Sequence, residues 1–310
     1  MEQWDLIIIG AGPAGLSAGI YASRSGLKTM IVEEKMAGGT TSDAPIVENY
    51  PGFAQIGGGE LAEKMVLHCK KMGVTIRELE TVSSLRLRDD EKVVITHKTE
   101  HAAKALIFAT GSHYREIGVP GEREFRGKGV SYCAVCDGPF FKGKRVLVVG
   151  GGNSAATAIL YLSGVVGEVV VVHRKHAFRA EEALVKDISE KKNVRVLWNT
   201  EVQEIKGEKV VNNVILLDNK TGETSELAVN AVFVQVGEAP NSKIANEAGV
   251  EVDEHGYVKI DMYQKTNLPG VYAAGDVTSH PVKQVGTAVG QGITAALQAY
   301  VYIRQPYYRK

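Results

Sequence analysis

From Asp5 to Gly26 the chain reads DLIIIGAGPAGLSAGIYASRSG, and the fold follows from how that run is punctuated. A short apolar segment ends at Gly10. Small and apolar residues then recur at helical spacing, and Gly26 is placed to cap the helix. KTMIV (Lys28–Val32) continues as a second buried strand that ends at Glu33 and Glu34. Strand, glycine turn, helix, strand is the βαβ unit of a dinucleotide-binding fold. In the spacing Gly10-x-Gly12-x-x-Gly15 the first glycine permits the turn and the second lets backbone approach a pyrophosphate. The third lets helix pack on strand, and the phosphates face free N–H groups at the helix start.

The same pattern is written a second time. KRVLVVG (Lys144–Gly150) is the strand, GGNSAATAILYLSG (Gly151–Gly164) the helix, and EVVVV (Glu168–Val172) the next strand, running into His173, Arg174 and Lys175. Its fingerprint is Gly150-x-Gly152-x-x-Ala155. One such motif is weak evidence; two in the same strand–helix context are strong. Each is followed by a β-rich stretch, Val82–Gly111 and Val202–Gly237, that reads as an antiparallel meander leading to one more buried strand stopping at a glycine. From about Asn241 no third fingerprint occurs, and this remainder is assigned to completing the first domain. The expected fold class is α/β: two Rossmann-like, three-layer ββα dinucleotide-binding domains joined by a two-stranded hinge. The expected domains are 1–114 plus 243–310, and 115–242.

Composition narrows the function classes. The 310 residues carry 36 basic and 36 acidic side chains, so nothing calls for nucleic acid or a charged membrane surface. Three cysteines are too few for a secreted disulfide scaffold. No signal peptide and no apolar run of about 18 residues is read, so a soluble, cytoplasmic protein is expected.

The two nucleotide sites differ in charge. Glu33 and Arg174 occupy corresponding positions, at the end of the second strand of each unit, where this fold meets the adenosine ribose. A carboxylate accepts hydrogen bonds from a 2′-OH and repels a 2′-phosphate, which suits FAD or NAD. Arg174, Lys175 and Arg179 suit NADP, although a basic run is also an ordinary solvated loop. TNLPGVYAAGD, ending at Gly275-Asp276, and the small-residue helical pattern after it are read as packing beside the first fingerprint. Asp276 would then reach the first cofactor; an Asp after a Gly is also a common turn residue.

SYCAVCDGPFF (Ser131–Phe141) holds Cys133 and Cys136. Zinc needs about four ligands, and no second pair or nearby histidine cluster supplies them, so no metal is expected. The loop is too small to stabilise much as a structural staple. Spacing this close suits reversible thiol–disulfide exchange. Cys69, in the amphipathic pattern GELAEKMVLHCKKMG, is read as a half-buried structural thiol beside a solvent-facing His68.

GAGPAG, AGG (Ala37–Gly39), VENYPGF (Val47–Phe53), ATG (Ala109–Gly111), CAVCDG, GGGNSA, HRKHAFRA (His173–Ala180) and YAAGD follow one another in an order that resembles the low-molecular-weight thioredoxin reductases. The resemblance spans essentially the whole chain. It implies FAD in the first domain, held at Gly10, Gly12, Pro13, Ala14, Gly15, Glu33, Glu34, Gly38, Gly39, Thr40, Asn49, the backbone near Val82, Ala109, Gly111, Gly275, Asp276, Gln284 and Val285. It implies NADPH in the second, at Gly150, Gly152, Asn153, Ser154, Ala155, Arg174, Lys175, Arg179 and Gly237. It further implies a homodimer acting on thioredoxin or a thioredoxin-like protein. Cys136 would be the sulfur next to the flavin, Cys133 the one that attacks the protein substrate, and Asp137 the acid that handles the proton; an Asp-Gly turn is the plainer reading of Asp137.

Two departures stand out. Lys175 replaces an arginine usual in the family, and ATAIL (Ala156–Leu160) replaces a segment in which many relatives carry glutamates. Some relatives take electrons from ferredoxin or a reduced deazaflavin; the retained cations argue against that here. Hydride donor and disulfide belong to one domain yet must each come within roughly 3–3.5 Å of the same ring. Rotation about the paired linkers is therefore expected. The rival readings are the same chemistry with another redox protein as acceptor, and a redox sensor without turnover.

Overall fold

The computed structural model describes residues 2–44 and 46–304. The chain divides into two compact units, Met1–His113 with Ala239–Lys310, and Tyr114–Glu238. The expected bounds 1 and 310 lie outside the described residues.

The first unit opens with β1 (Glu2–Ile9), α1 (Pro13–Arg24) and β2 (Thr29–Val32). Leu6 to Ile8 are fully buried, as an apolar strand covered on both faces must be. The helix α1 starts at the glycine turn with Pro13 in its first turn, where the missing N–H costs nothing, and Ser25 closes it ahead of a left-handed Gly26. Next come α2 (Gly58–Lys71), β3 (Thr75–Arg77), β4 (Val82–Leu87), β5 (Lys92–Thr96) and β6 (Glu100–Phe108). Cys69 of α2 is fully buried rather than half-buried, because its helix face packs on α1. A Cβ built on Gly19 would stand 3.1 Å from the Cys69 sulfur. That burial pushes the thiol up to about 12, against the pull of Lys70. His68 is exposed.

The chain crosses through β7 (Ser112–Tyr114) to β8 (Val130–Ser131), α3 (Ala134–Asp137) and β9 (Arg145–Val149). Then follow α4 (Asn153–Ser163), β10 (Glu168–His173), α5 (Glu182–Ser189), β11 (Val194–Trp198), β12 (Thr200–Gly207), β13 (Val211–Asp218), β14 (Thr224–Ala228) and β15 (Ala231–Val234). The return crossing is β16 (Glu238–Pro240), which pairs with β7 as a two-stranded ribbon. It leads to α6 (Lys243–Glu247), β17 (Val271–Ala273) and α7 (Val285–Arg304), which complete the first unit.

The first sheet runs β3-β2-β1-β6-β5-β4, with β17 also on β6; the second runs β11-β10-β9-β15-β8 and is parallel throughout. In both, strand order reverses beside the first strand of the βαβ unit, where ligands of open α/β sheets bind.

The two meanders read alike in sequence but are built differently. In the second unit β12, β13 and β14 form a separate antiparallel sheet, and β15 starts afresh after Val229-Asn230. The Asn230 side chain and N–H bond Arg145 backbone, which breaks the strand there. In the first unit no such interruption occurs. The strand β6 is one nine-residue run whose start pairs with β5 and whose end pairs with β17, while β1 lies along its other edge. The first meander is thus part of the main sheet.

Candidate active site

Both glycine turns form a cradle that side chains would fill. Gly10 (φ 105°) and Gly150 (φ 149°) adopt backbone that L side chains avoid. Gly12 and Gly152 precede α1 and α4 as caps without any side-chain hydrogen bond, so their first-turn N–H groups are free for phosphate oxygens. In front of Gly152 a Cβ would meet no atom within 4 Å. Across the first turn, Gly38 N–H donates to the Ala11 carbonyl at 2.8 Å, and a Cβ on Gly39 would lie 2.9 Å from the Gly12 Cα. Two glycine backbones therefore wall this cradle; Thr40 stands exposed beyond them.

The charged groups at the ends of β2 and β10 sit as follows. The Glu33 carboxylate accepts from Ala11 N–H (2.7 Å) and Lys35 N–H (2.9 Å), which ties it to the turn; Glu34 is exposed. Arg174 and Lys175 are exposed, and Arg179 N–H donates to the Gly151 carbonyl at 2.7 Å. Asn153 is engaged in a reciprocal pair: Nδ2 donates to Glu181 Oε1 (3.0 Å) and Oδ1 accepts from Glu181 N–H (2.9 Å). Ser154 is exposed and Ala155 buried in α4. Gly237 follows β15 at φ 106°.

The remaining first-unit residues converge from distant sequence. Asn49 Nδ2 donates to Gln284 Oε1 at 3.1 Å, across 235 positions, immediately before Val285 opens α7. A Cβ on Gly275 would stand 2.9 Å from the Ala14 methyl, so this turn abuts α1. Gly275 N–H donates to buried Gln291 Oε1 at 2.7 Å, and Lys283 Nζ to the Asp276 carbonyl at 3.1 Å. Ala109 follows β6 with its N–H on the Ile9 carbonyl, Gly111 precedes β7, and Val82 begins β4.

The sulfur site lies wholly in the second unit. Cys133 and Cys136 are joined as a disulfide with Cα atoms 5.3 Å apart. Cys133 caps the single turn α3, its sulfur accepting from Cys136 N–H at 3.2 Å. The turn is pressed against α4, since a Cβ on Gly138 would come within 2.8 Å of Leu162. Asp137 follows, half-buried; desolvation pushes its carboxyl above the ordinary carboxylate range, opposed by a hydrogen bond from Ser131 Oγ at 2.6 Å. Val135 and Phe140 beside the disulfide are exposed.

Residues 4–292 match the family model described as pyridine nucleotide-disulphide oxidoreductase. This chain belongs to that family. The member is 42% identical over 97% of its length to the thioredoxin reductase of Bacillus subtilis, covering 95% of that protein. It is 42% identical to that of Treponema pallidum, with 97% of each chain covered. The crystal structure of thioredoxin reductase from Streptococcus pyogenes superposes with a TM-score of 0.93 at 39% identity, covering 97% of this chain and 98% of that one. The member is an NADPH-dependent flavoprotein disulfide oxidoreductase, with FAD and NADPH as cofactors and Cys133–Cys136 as its redox-active disulfide. The open glycine cradles and uncapped helix starts fit dinucleotide phosphates.

Sequence reading passed over Ser131, which reaches both Cys133 and Asp137, and Glu181, which holds Asn153. A serine before a C-x-x-C and a glutamate in a polar loop carry no local mark. Among the described residues no group of three or more His, Cys, Asp or Glu could hold a metal, and no helix is long and apolar enough to cross a membrane.

Proposed function

We propose that this chain reduces the disulfide of a thioredoxin or thioredoxin-like protein at the expense of NADPH, as a cytoplasmic homodimer. The observation that carries this reading is the Cys133–Cys136 disulfide on a short helical turn packed on α4, with Val135 and Phe140, close to it in sequence, exposed as apolar contacts for a protein partner. The FAD-binding domain is taken as 1–114 plus 243–310 and the NADPH-binding domain as 115–242. When bound, FAD and NADPH supply the two electrons.

The chain's own residues divide the remaining work. Backbone N–H groups beyond Gly12 and Gly152 bind the pyrophosphates, and Glu33 and Glu34 serve the FAD side. Asn49 and Gln284 hold one another, which pre-orders two first-unit contacts. Arg174, Lys175 and Arg179 select the 2′-phosphate. Cys133 attacks the partner disulfide, Cys136 resolves the mixed disulfide, and Asp137, whose carboxyl burial pushes above the ordinary carboxylate range, delivers a proton to a departing thiolate. Rotation about the β7–β16 ribbon lets the disulfide and the nucleotide take turns.

Purified protein titrated anaerobically with NADPH should bleach at the flavin band and then reduce thioredoxin catalytically. Cys136→Ser should keep the bleaching and lose thioredoxin reduction. Bleaching by neither NADPH nor NADH would instead favour a ferredoxin or deazaflavin donor. A cross-link fixing one orientation should leave one half-reaction; full turnover in that state would sink the rotation.

A further inference from the structure

We propose that Ser131 is a positioning residue for reduction of the Cys133–Cys136 disulfide, its hydroxyl accepting from Cys133 N–H at 3.1 Å and donating to Asp137 Oδ2 at 2.6 Å. The inference rests on the reading of Asp137 as the proton donor. Ser131 is buried at the end of β8, its backbone in register with Phe233 of β15. Its hydroxyl therefore belongs to the sheet, while the disulfide and Asp137 belong to a short helical turn, and Ser131 is the hydrogen-bonded link between the two. The Cys133 carbonyl lies 3.3 Å from the same oxygen, so the one hydroxyl hydrogen goes to the nearer carboxyl oxygen.

With Oδ2 held, the acid proton is carried on Oδ1. Opening the disulfide takes two electrons and two protons; NADPH supplies both electrons and one proton as hydride, and the second proton comes from solvent. Asp137 relays that second proton: its O–H bond breaks as an S–H bond forms, and the carboxylate left behind is stabilised by Ser131 until it is reprotonated. Two other titratable groups near the turn have partners of their own. Tyr161 of α4 donates to the Val135 carbonyl, and the Tyr132 hydroxyl is bound to Glu122.

Removing the Ser131 hydroxyl withdraws a donor from the carboxylate, so the acid form persists to higher pH. The test is the pH profile of single-turnover disulfide reduction when the oxidised holoenzyme is mixed anaerobically with NADPH. Ser131→Ala should move the alkaline limb upward and slow the step roughly tenfold, the equivalent of one lost charge-assisted hydrogen bond, with flavin content and NADPH binding unchanged. Ser131→Thr should restore the profile. If Ser131→Ala does not fold, Ser131→Thr against the near-isosteric Ser131→Val makes the same comparison. Asp137→Asn should erase the limb. A limb that vanishes in Asp137→Asn but stays in place without the hydroxyl overturns the role of Ser131; a limb that survives Asp137→Asn overturns the reading of Asp137 itself.

Discussion

At the end of the first strand in each βαβ unit the chain makes the same turn, yet the space beneath it is distributed differently. In the first unit the middle residue is Ala11 and the third is Gly15, where a Cβ would lie 1.9 Å from the Gly10 carbonyl oxygen. The second unit reverses this. Its third residue, Ala155, carries a methyl without conflict, and its middle residue is Gly151, over whose Cα the His173 ring lies 2.4 Å from any added Cβ. His173 in turn is packed against Phe178 and Trp198. One backbone path thus tolerates two side-chain solutions, and which glycine is obligatory depends on what lies under the loop.

That contrast is most sharply tested by Gly15→Ala. Its methyl meets backbone, which cannot step aside, so a loss of about 3 kcal/mol or more is expected, read as lowered Tm and lost flavin. An Ala-tolerant position 15 would break the comparison. Next in size, Arg174→Ala should weaken NADP⁺ roughly tenfold by calorimetry, about 1.4 kcal/mol, and leave NAD⁺ nearly unchanged; equal losses would assign Arg174 to the pyrophosphate instead. Ala155→Gly should cost about 1 kcal/mol, for helix propensity and one buried methyl, with nucleotide binding retained. The smallest effect is a slope with pH. Burial, helped by Arg179, Arg174 and Lys175 and opposed by a hydrogen bond with Ala177 backbone, lowers the His173 pKa from its ordinary 6.5. The folded state thus holds His173 neutral while the unfolded chain protonates, so stability is full above 6.5 and is lost as pH falls through the lower folded value. His173→Phe should flatten that slope in acid unfolding of the second unit.

The glycine turns, the apolar strands and the reactive cysteine pair were legible because each is a local pattern with a local physical cause. The fate of the meanders was not. Only Val229 and Asn230 separate β14 from β15, and nothing in the first meander announces that β6 runs unbroken into the main sheet. Contacts across long separations were equally hidden. Asn49 meets Gln284 through packing of whole elements, and Glu80, His101 and Thr96 form a buried polar cluster from three polar positions that alternation alone would send to solvent. Burial alone would raise the Glu80 pKa, yet hydrogen bonds from Thr96 and His101 hold it low.

The late arrival of β17 and α7 has a consequence for synthesis. When Val234 leaves the ribosome, every strand of the second sheet has been made, whereas the end of β6 and the α1 surface still await partners from Val271 onward. At about 5–20 residues per second, the roughly 70 residues from there to Arg304, at the end of α7, take on the order of 4–14 s. For that interval the newborn chain carries one finished lobe and one with an open greasy flank, so chaperone capture should fall on the half that was translated first.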